Sequence, residues 1–455
     1  MSEQIRLRRG LDIPLNGEAT PKITKRISPD SVAIKPLDYR ALNPKLLVKE
    51  GDMVKAGTPI LMDKKRPEIK ICSPISGVVS EIFRGEKRKL LEIRVKPDGE
   101  NQSLEFASVD YKKADRQTLV DLLLESGLWA NIKQRPYGTI PDSSVVPKAI
   151  FISSFDSSPL APDMDFALSG QMDMVQIGVD VLSKLTSGGI HVGFHTSNYV
   201  SSPIHKLNNI ISHTFAGKHP AGNVGVQIHH ISPINKGEVV WTLDLFSVAA
   251  IGRLFAKKVY DVKKVIAITG PRCANPSYIE VIPGTNLSAI KEYIAVDEKD
   301  NLPARVISGN VLTGDNVGES GYLGNFHNQI TILSEGKYFE MFGWIKPLRL
   351  KKFSISRSYF SWLMPSKKYD LDTNLNGGDR AFVVTGLYEK VLPMDIYPMH
   401  LLKAIMAGDI DKMEALGIYE IIEEDMALCE FVCPSKIEIQ EIVSQGIDLM
   451  IKEMS

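Results

Sequence analysis

Near its C-terminus the chain reads Glu423-Glu-Asp-Met426-Ala-Leu-Cys429-Glu-Phe-Val-Cys433-Pro434, and no other stretch restricts local structure so tightly. The spacing is that of the iron–sulfur ligand run C-x2-C-x2-C-x3-C-P with its last two cysteines in place. A cluster-binding chain would need cysteine at 423 and 426 as well, where this one has Glu423 and Met426. A [4Fe–4S] cluster takes four thiolates, and a hard carboxylate and a neutral thioether are poor substitutes for two of them. The run therefore reads as a helical iron–sulfur module that no longer holds its cluster. The alternative is that Cys429 and Cys433 are buried cysteines spaced by chance about one helical turn apart.

A chain of 455 residues should fold as several domains. Its 54 basic and 54 acidic side chains cancel, which argues against a general nucleic-acid binder. Met1 to Gly10 holds no apolar core of signal-peptide length. The most apolar window, Val239 to Ala256, is interrupted by Asp244 and Arg253 and is too short to span a bilayer. Four cysteines, with Cys72 and Cys273 isolated, fit a reducing compartment without structural disulfides. The expectation is a cytoplasmic chain whose membrane role is at most peripheral.

Four domains follow from the pattern, giving a multidomain α/β protein. Residues 1–105 read as all-β: Val48 to Leu61 and Ile71 to Ile82 each form strand, Pro/Gly turn, strand. The pair resembles the barrel-sandwich fold of lipoyl and biotinyl carriers, but Lys64 and Lys65 lack a carrier signature, so the module is read as unmodified. Residues 106–258 alternate helix and strand, the grammar of a Rossmann-like parallel sheet covered by helices. Residues 259–335 suggest a β-grasp, with two strands, a short helix and further strands. Residues 336–455 begin as a basic aromatic linker and end in helices, the last expected to start with a capping box at Ser435-Lys-Ile-Glu438.

Catalytic motifs are missing. A nucleotide or flavin site in the sheet domain needs a glycine-rich turn for close backbone approach to phosphate, and the candidate turn is Arg135-Pro-Tyr137-Gly138. No Ser-His-Asp arrangement, paired carboxylates or metal-ligand spacing can be placed, so neither a catalytic residue nor a metal site is assigned. Most of the nine histidines fall between His191 and His230. His219, His229 and His230 are candidate donors to a carbonyl oxygen such as that of a quinone, with structural histidines beside a glycine turn as the alternative. Adjacent His229 and His230, read on a strand, would face opposite ways. Met341 to Tyr369 holds seven Lys/Arg and no acid, interleaved with aromatics. Trp344, Lys351, Lys352 and Trp362 are its candidate contacts to an anionic membrane surface or a membrane-bound partner.

Taken together, Gly217-Lys-His-Pro-Ala-Gly-Asn-Val-Gly225, Gly378-Asp-Arg-Ala, Leu392-Pro-Met-Asp-Ile-Tyr-Pro398 and Gly417 to Lys436 resemble the A subunits of Na+-translocating NADH:quinone reductases over nearly the whole length. A more distant similarity is to the Rnf complex C subunit and to the NADH-binding subunit of complex I, whose third domain is a soluble-ligand-binding β-grasp (SLBB-like). The resemblance implies a peripheral subunit on the cytoplasmic side of the bacterial inner membrane. It implies partnership with the other subunits, especially the membrane-embedded B subunit, and contact with ubiquinone or menaquinone as substrate. NADH would be used by the complex and not by this chain. Where those distant relatives hold flavin and cluster, this chain has Arg135-Pro-Tyr-Gly, Glu423 and Met426, so no resident cofactor is expected. The alternatives are a flavin- and Fe–S-bearing subunit of the Rnf type and a cofactor-free assembly scaffold.

Overall fold

Short apolar runs cut by glycine and proline build two facing sheets between Val32 and Pro97. One has the strand order Val32–Ile34, Leu90–Pro97, Gly77–Arg84, Met53–Val54; the other is Pro44–Leu46, Pro59–Asp63, Lys70–Cys72. Val54, Ile60, Leu61, Val79, Ile93 and Val95 fill the space between them. This computed structural model describes residues 4–296, 302–336 and 349–454.

The chain before Val32 departs from the expected 1–105 unit. Gln4–Arg6 pairs in parallel with Ile210–Ala216, and Ile23–Arg26 pairs with Ser277–Val281. The N-terminal segment thus lends one edge strand to each of the next two domains before entering the sandwich. Strands of three and four residues give alternation too little length to register.

The second domain is a six-stranded sheet ordered Gln4–Arg6, Ile210–Ala216, Ile190–His195, Ile150–Ser153, Val240–Thr242, Lys133–Arg135, parallel except at the last strand. Its central strand Ile150–Ser153 is a buried apolar run because both faces are covered. Helices Met172–Ser183 and Leu245–Lys257 pack on one face, and Val224–Ile231 covers the other through Ile228 against Phe151 and Val240. The first two helices touch backbone to backbone: a Cβ on Gly178 would lie 2.1 Å from the Val248 carbonyl, and one on Gly252 1.8 Å from that of Met174. Only glycine permits that crossing.

The third sheet centres on Lys264–Thr269, antiparallel to Ser277–Val281 and parallel to Gln329–Ser334, with Ala304–Ser308 beyond and a 3-10 turn Leu287–Tyr293 crossing it. The C-terminal helices Tyr388–Val391, Pro398–Ala407, Ile410–Ala415, Glu423–Val432 and Ile439–Met454 enclose Leu402, Met413, Met426, Val443 and Ile447.

The last helix begins later than its sequence suggests. The Ser435 hydroxyl donates to the Ala381 carbonyl, and Glu430 from the preceding helix accepts the Gln440 amide at 2.7 Å. A carboxylate on a neighbouring helix therefore does the capping assigned to Ser435 and Glu438.

Candidate functional site

Strand order reverses beside Ile150–Ser153. From that strand the chain steps outward to Ile190–His195 and Ile210–Ala216, then returns to Val240–Thr242 on the opposite side. The loops leaving Ser153 and Thr242 diverge, and a crevice must open at the carboxyl ends of the strands. A cleft of about 230 Å³ lies there. The third domain closes it with Leu312 and Phe326, and the helical domain with Ile422 and Glu424. Asp156 opens onto the cleft, and desolvation between its walls lifts that carboxyl above the ordinary range. Lys133 holds its Nζ 4.1 Å above the Phe326 ring.

His219 lines the cleft and is only 4% exposed. Its Nδ1 lies 3.0 Å from Ser157 Oγ, which also accepts the Gly222 amide at 2.8 Å. With the Gly222 amide already donating to it, the hydroxyl is placed to donate to Nδ1 in the tautomer that carries the ring proton on Nε2. Burial pushes the imidazole down to about 4, so the ring is neutral at physiological pH. The backbone of Ser157 also hydrogen-bonds the ring, which opposes the effect of burial. The arrangement is a buried, neutral imidazole at a mixed polar and apolar cleft.

His229 and His230 lie on the helix Val224–Ile231 and not on a strand. The cleft is not lined by either. His229 Nδ1 donates to Glu420 Oε2 at 2.6 Å and its Nε2 accepts the Asp395 amide at 2.9 Å. His230 Nε2 donates to the Pro393 carbonyl at 2.7 Å, and burial lowers its pKa. Both tie the sheet domain to the C-terminal helices. Of the three histidines, the structure brings His219 alone to the cleft.

Arg135 is the residue that sequence reasoning missed. Its guanidinium is buried and reaches Asp425 Oδ2 and Glu424 Oε1, each at 2.5 Å. Burial lifts the Asp425 carboxyl above its ordinary range, with Arg135 pulling it back. Asp425 also accepts the Ile422 amide at 3.0 Å, holding the first turn of the helix Glu423–Val432. Gly225 faces this pair: a Cβ there would come within 2.4 Å of Asp425 Oδ1. Three acids in a row at a helix start were the available signal, since acids there suit the helix dipole and also attract cations. A phosphate at the start of Val224–Ile231 would meet two carboxylates, so a flavin phosphate does not fit there.

The four positions of the broken run have taken other partners. Glu423 pairs with Arg40, which also reaches Asp448 at 2.7 Å and Ser444 at 2.9 Å in the last helix. Met426 is buried in the helical core. The buried Tyr388 hydroxyl donates to Cys433 Sγ at 3.0 Å, and the Cys429 thiol lies 4.0 Å from the Tyr388 carbonyl. Burial holds the Cys429 thiol well above the usual range, the opposite of what a thiolate ligand needs. These residues do not fit an iron–sulfur cluster. Among the described residues, no group of three or more His, Cys, Asp or Glu is arranged to hold a metal ion.

Of the basic segment, Trp344 lies outside the described residues. Lys351 is exposed, Lys352 pairs with Asp372 at 3.7 Å, and Trp362 is 50% exposed beneath the Arg357 guanidinium. Among the described residues, no helix is long and apolar enough to cross a membrane.

Family models match three stretches of the chain in order. The family descriptions "NqrA N-terminal barrel-sandwich hybrid domain", "NqrA second alpha/beta domain" and "NQRA C-terminal domain" match residues 5–98, 114–259 and 265–319. The A subunit of the Na(+)-translocating NADH-quinone reductase of Saccharophagus degradans is 37% identical over 99% of this chain and 100% of its own length. That of Neisseria meningitidis serogroup A is 37% identical over the same shares. A NAD+-reducing [NiFe]-hydrogenase in the air-oxidised state superposes with a TM-score of 0.38 at 10% identity, over 74% of this chain and 61% of that one, too low to bear on fold or function. With three family domains matched in order and relatives aligned end to end, the chain belongs to the family of A subunits of the Na(+)-translocating NADH-quinone reductase.

Proposed function

We propose that this chain is a peripheral subunit on the cytoplasmic face of a Na+-translocating NADH:quinone reductase, docked on membrane subunits including the B subunit, and that its cleft takes the ring of a quinone. The supporting observation is His219: a buried, neutral imidazole in the cleft wall, which in its Nε2–H tautomer can donate to a carbonyl oxygen. A hydrogen bond to the developing oxyanion strengthens as the quinone gains electrons, so the same contact favours reduction. NADH oxidation then belongs to another subunit. In this reading the second domain is a Rossmann-like sheet without its phosphate turn. The C-terminal helices are an iron–sulfur module whose ligand positions now carry packing and ion pairs.

Photo-crosslinking with an azido-quinone, followed by peptide mapping, tests it. Label should fall on peptides around Asp156 and His219, be competed by unlabelled quinone, and drop in His219→Phe. Labelling no higher than in the competed control would favour a scaffold that never touches quinone. Flavin or Fe–S bands in the visible spectrum of the purified chain would favour an Rnf-type electron-transfer subunit.

A further inference from the structure

Residues 349–369 break the rule that apolar side chains turn inward. Leu350, Ile355, Phe360, Trp362 and Leu363 are 40–58% exposed within fourteen positions. Scattered exposed apolar residues are ordinary, but a run of them rimmed by one sign of charge marks an interaction surface. The segment is held in this shape. Ser361 Oγ accepts the Ser354 amide at 3.2 Å and donates back to the Ser354 carbonyl at 3.1 Å. Ser354 Oγ accepts the Ser358 amide at 3.0 Å, and Lys367 Nζ closes the lobe on the Leu350 carbonyl at 2.6 Å. Buried Tyr369 anchors it to the N-terminal segment through the Pro14 carbonyl and the Asn16 amide. The 3-10 turn Phe360–Leu363 places its first and last residues on one side, because side chains three apart eclipse in that helix.

Charge selects the partner. Arg349, Lys351, Lys352, Arg357, Lys367 and Lys368 stand in this lobe with no acid among them. Lys352 and Lys368 are paired with Asp372 and Glu18, while Lys351 and Arg357 are exposed beside the apolar side chains. Arg357 lies over the Trp362 ring at 5.4 Å, which presents indole and cation together. An exposed tryptophan, exposed apolar side chains and exposed cations together are the chemistry of the lipid headgroup layer.

We propose that the lobe of residues 349–369 binds an anionic phospholipid surface directly, seating Trp362 and Leu363 at the headgroup level with Lys351 and Arg357 on the phosphates. This rests on the reading that the chain works at a membrane, but it uses neither the cleft nor a protein partner.

The test is co-sedimentation of the full purified chain with phosphatidylcholine vesicles, with and without about a third phosphatidylglycerol. Binding should require the anionic lipid and be lost in about 0.5 M NaCl, where the Debye length is short. Each cation removed should weaken partitioning roughly fivefold, so Lys351→Glu with Arg357→Glu should lose at least about twenty-five-fold. Trp362→Ser removes only an exposed ring and should also weaken binding while leaving the thermal transition unchanged. Equal binding to neutral and anionic vesicles, or full binding by both variants, would overturn the proposal. Retention on solubilised membrane subunits without vesicle binding would also overturn it, and would identify a protein as the partner. None of these outcomes touches quinone crosslinking, so the two proposals fail separately.

Discussion

Arg135→Met should be among the most damaging single changes in this chain, and its partner should rescue it. The wild-type side chains of Arg135 and Asp425 are 2% and 0% exposed at 2.5 Å separation. Deleting the guanidinium leaves a buried carboxylate with one remaining donor, the Ile422 amide. Breaking a buried pair this way costs about 3–5 kcal/mol, because the surviving charge has neither water nor counter-ion. Glu424 is 41% exposed and can turn to solvent, so its share is small. Removing both charges, Arg135→Met with Asp425→Leu, should return stability to within about 1–2 kcal/mol of wild type, the residue being the lost helix cap.

Urea unfolding followed by hydrogen exchange in Glu423–Val432 reads the effect locally, which matters in a chain of several domains. Acidity supplies a second reading. With Arg135 gone, burial and then the neighbouring Glu424 raise the Asp425 carboxyl, so the native state binds that proton more tightly than the unfolded chain does. A raised carboxyl contributes stability below its unfolded value, about 3.9, that is lost as pH rises through the folded one. The penalty of Arg135→Met should therefore shrink between pH 8 and pH 5. A single variant within about 1 kcal/mol of wild type, or a double variant no better than the single, would refute the account.

His219, held down at about 4, contributes stability that is complete above about pH 6.5 and lost as pH falls toward 4. His219→Gln should flatten the decline of melting temperature across that window, and an unchanged decline would show that other groups govern it. Gly225→Ala sets a helix-propensity gain of about 1 kcal/mol against a Cβ driven into the Arg135–Asp425 pair, and urea unfolding should show a net loss of about 1–2 kcal/mol. Restoring thiols with Glu423→Cys and Met426→Cys should yield no absorbance near 400 nm after iron and sulfide reconstitution, because Tyr388 and core packing occupy the ligand side. A stoichiometric cluster would overturn that reading.

What could be read in advance depended on how far each signal reached along the chain. The parallel strands announced themselves as apolar runs, Ala149 to Ser153 and Ile190 to His195, because a strand covered on both faces has no alternation to hide. The apolar stripe of the last helix, Ile439, Val443, Ile447 and Met450, was legible for the same local reason. The cleft was not. It is closed by Leu312, Phe326 and Ile422, which come from two other domains, and nothing local marks Arg135 as the partner of residues 289 and 290 positions away. His229 and His230 misled because Val-Gly-Val-Gln-Ile resembles a strand in propensity. Tertiary packing of Ile228 on Phe151 and Val240 made it helical instead.

The acidic run at 423–425 and the turn at Arg135 meet in one structural device. Glu423, Glu424 and Asp425 are consecutive, yet they bind cations from two different domains: Glu423 takes Arg40, while Glu424 and Asp425 take Arg135. A helix start crowded with acids is stable here because its own dipole and two arginines offset the repulsion. Asn223, at the start of the helix that covers the sheet, donates to the Glu424 carbonyl at 3.0 Å, and His229 at the far end of that helix holds Glu420. Both ends of Val224–Ile231 are thus fixed to the helical domain, and His219 sits in the turn leading into it. The acids at 423–425 and their arginines therefore set the position of His219 in the cleft wall. Loosening the clamp should weaken any ligand held at His219 before it unfolds the sheet, because the sheet keeps its own core while the cleft wall depends on the ion pairs.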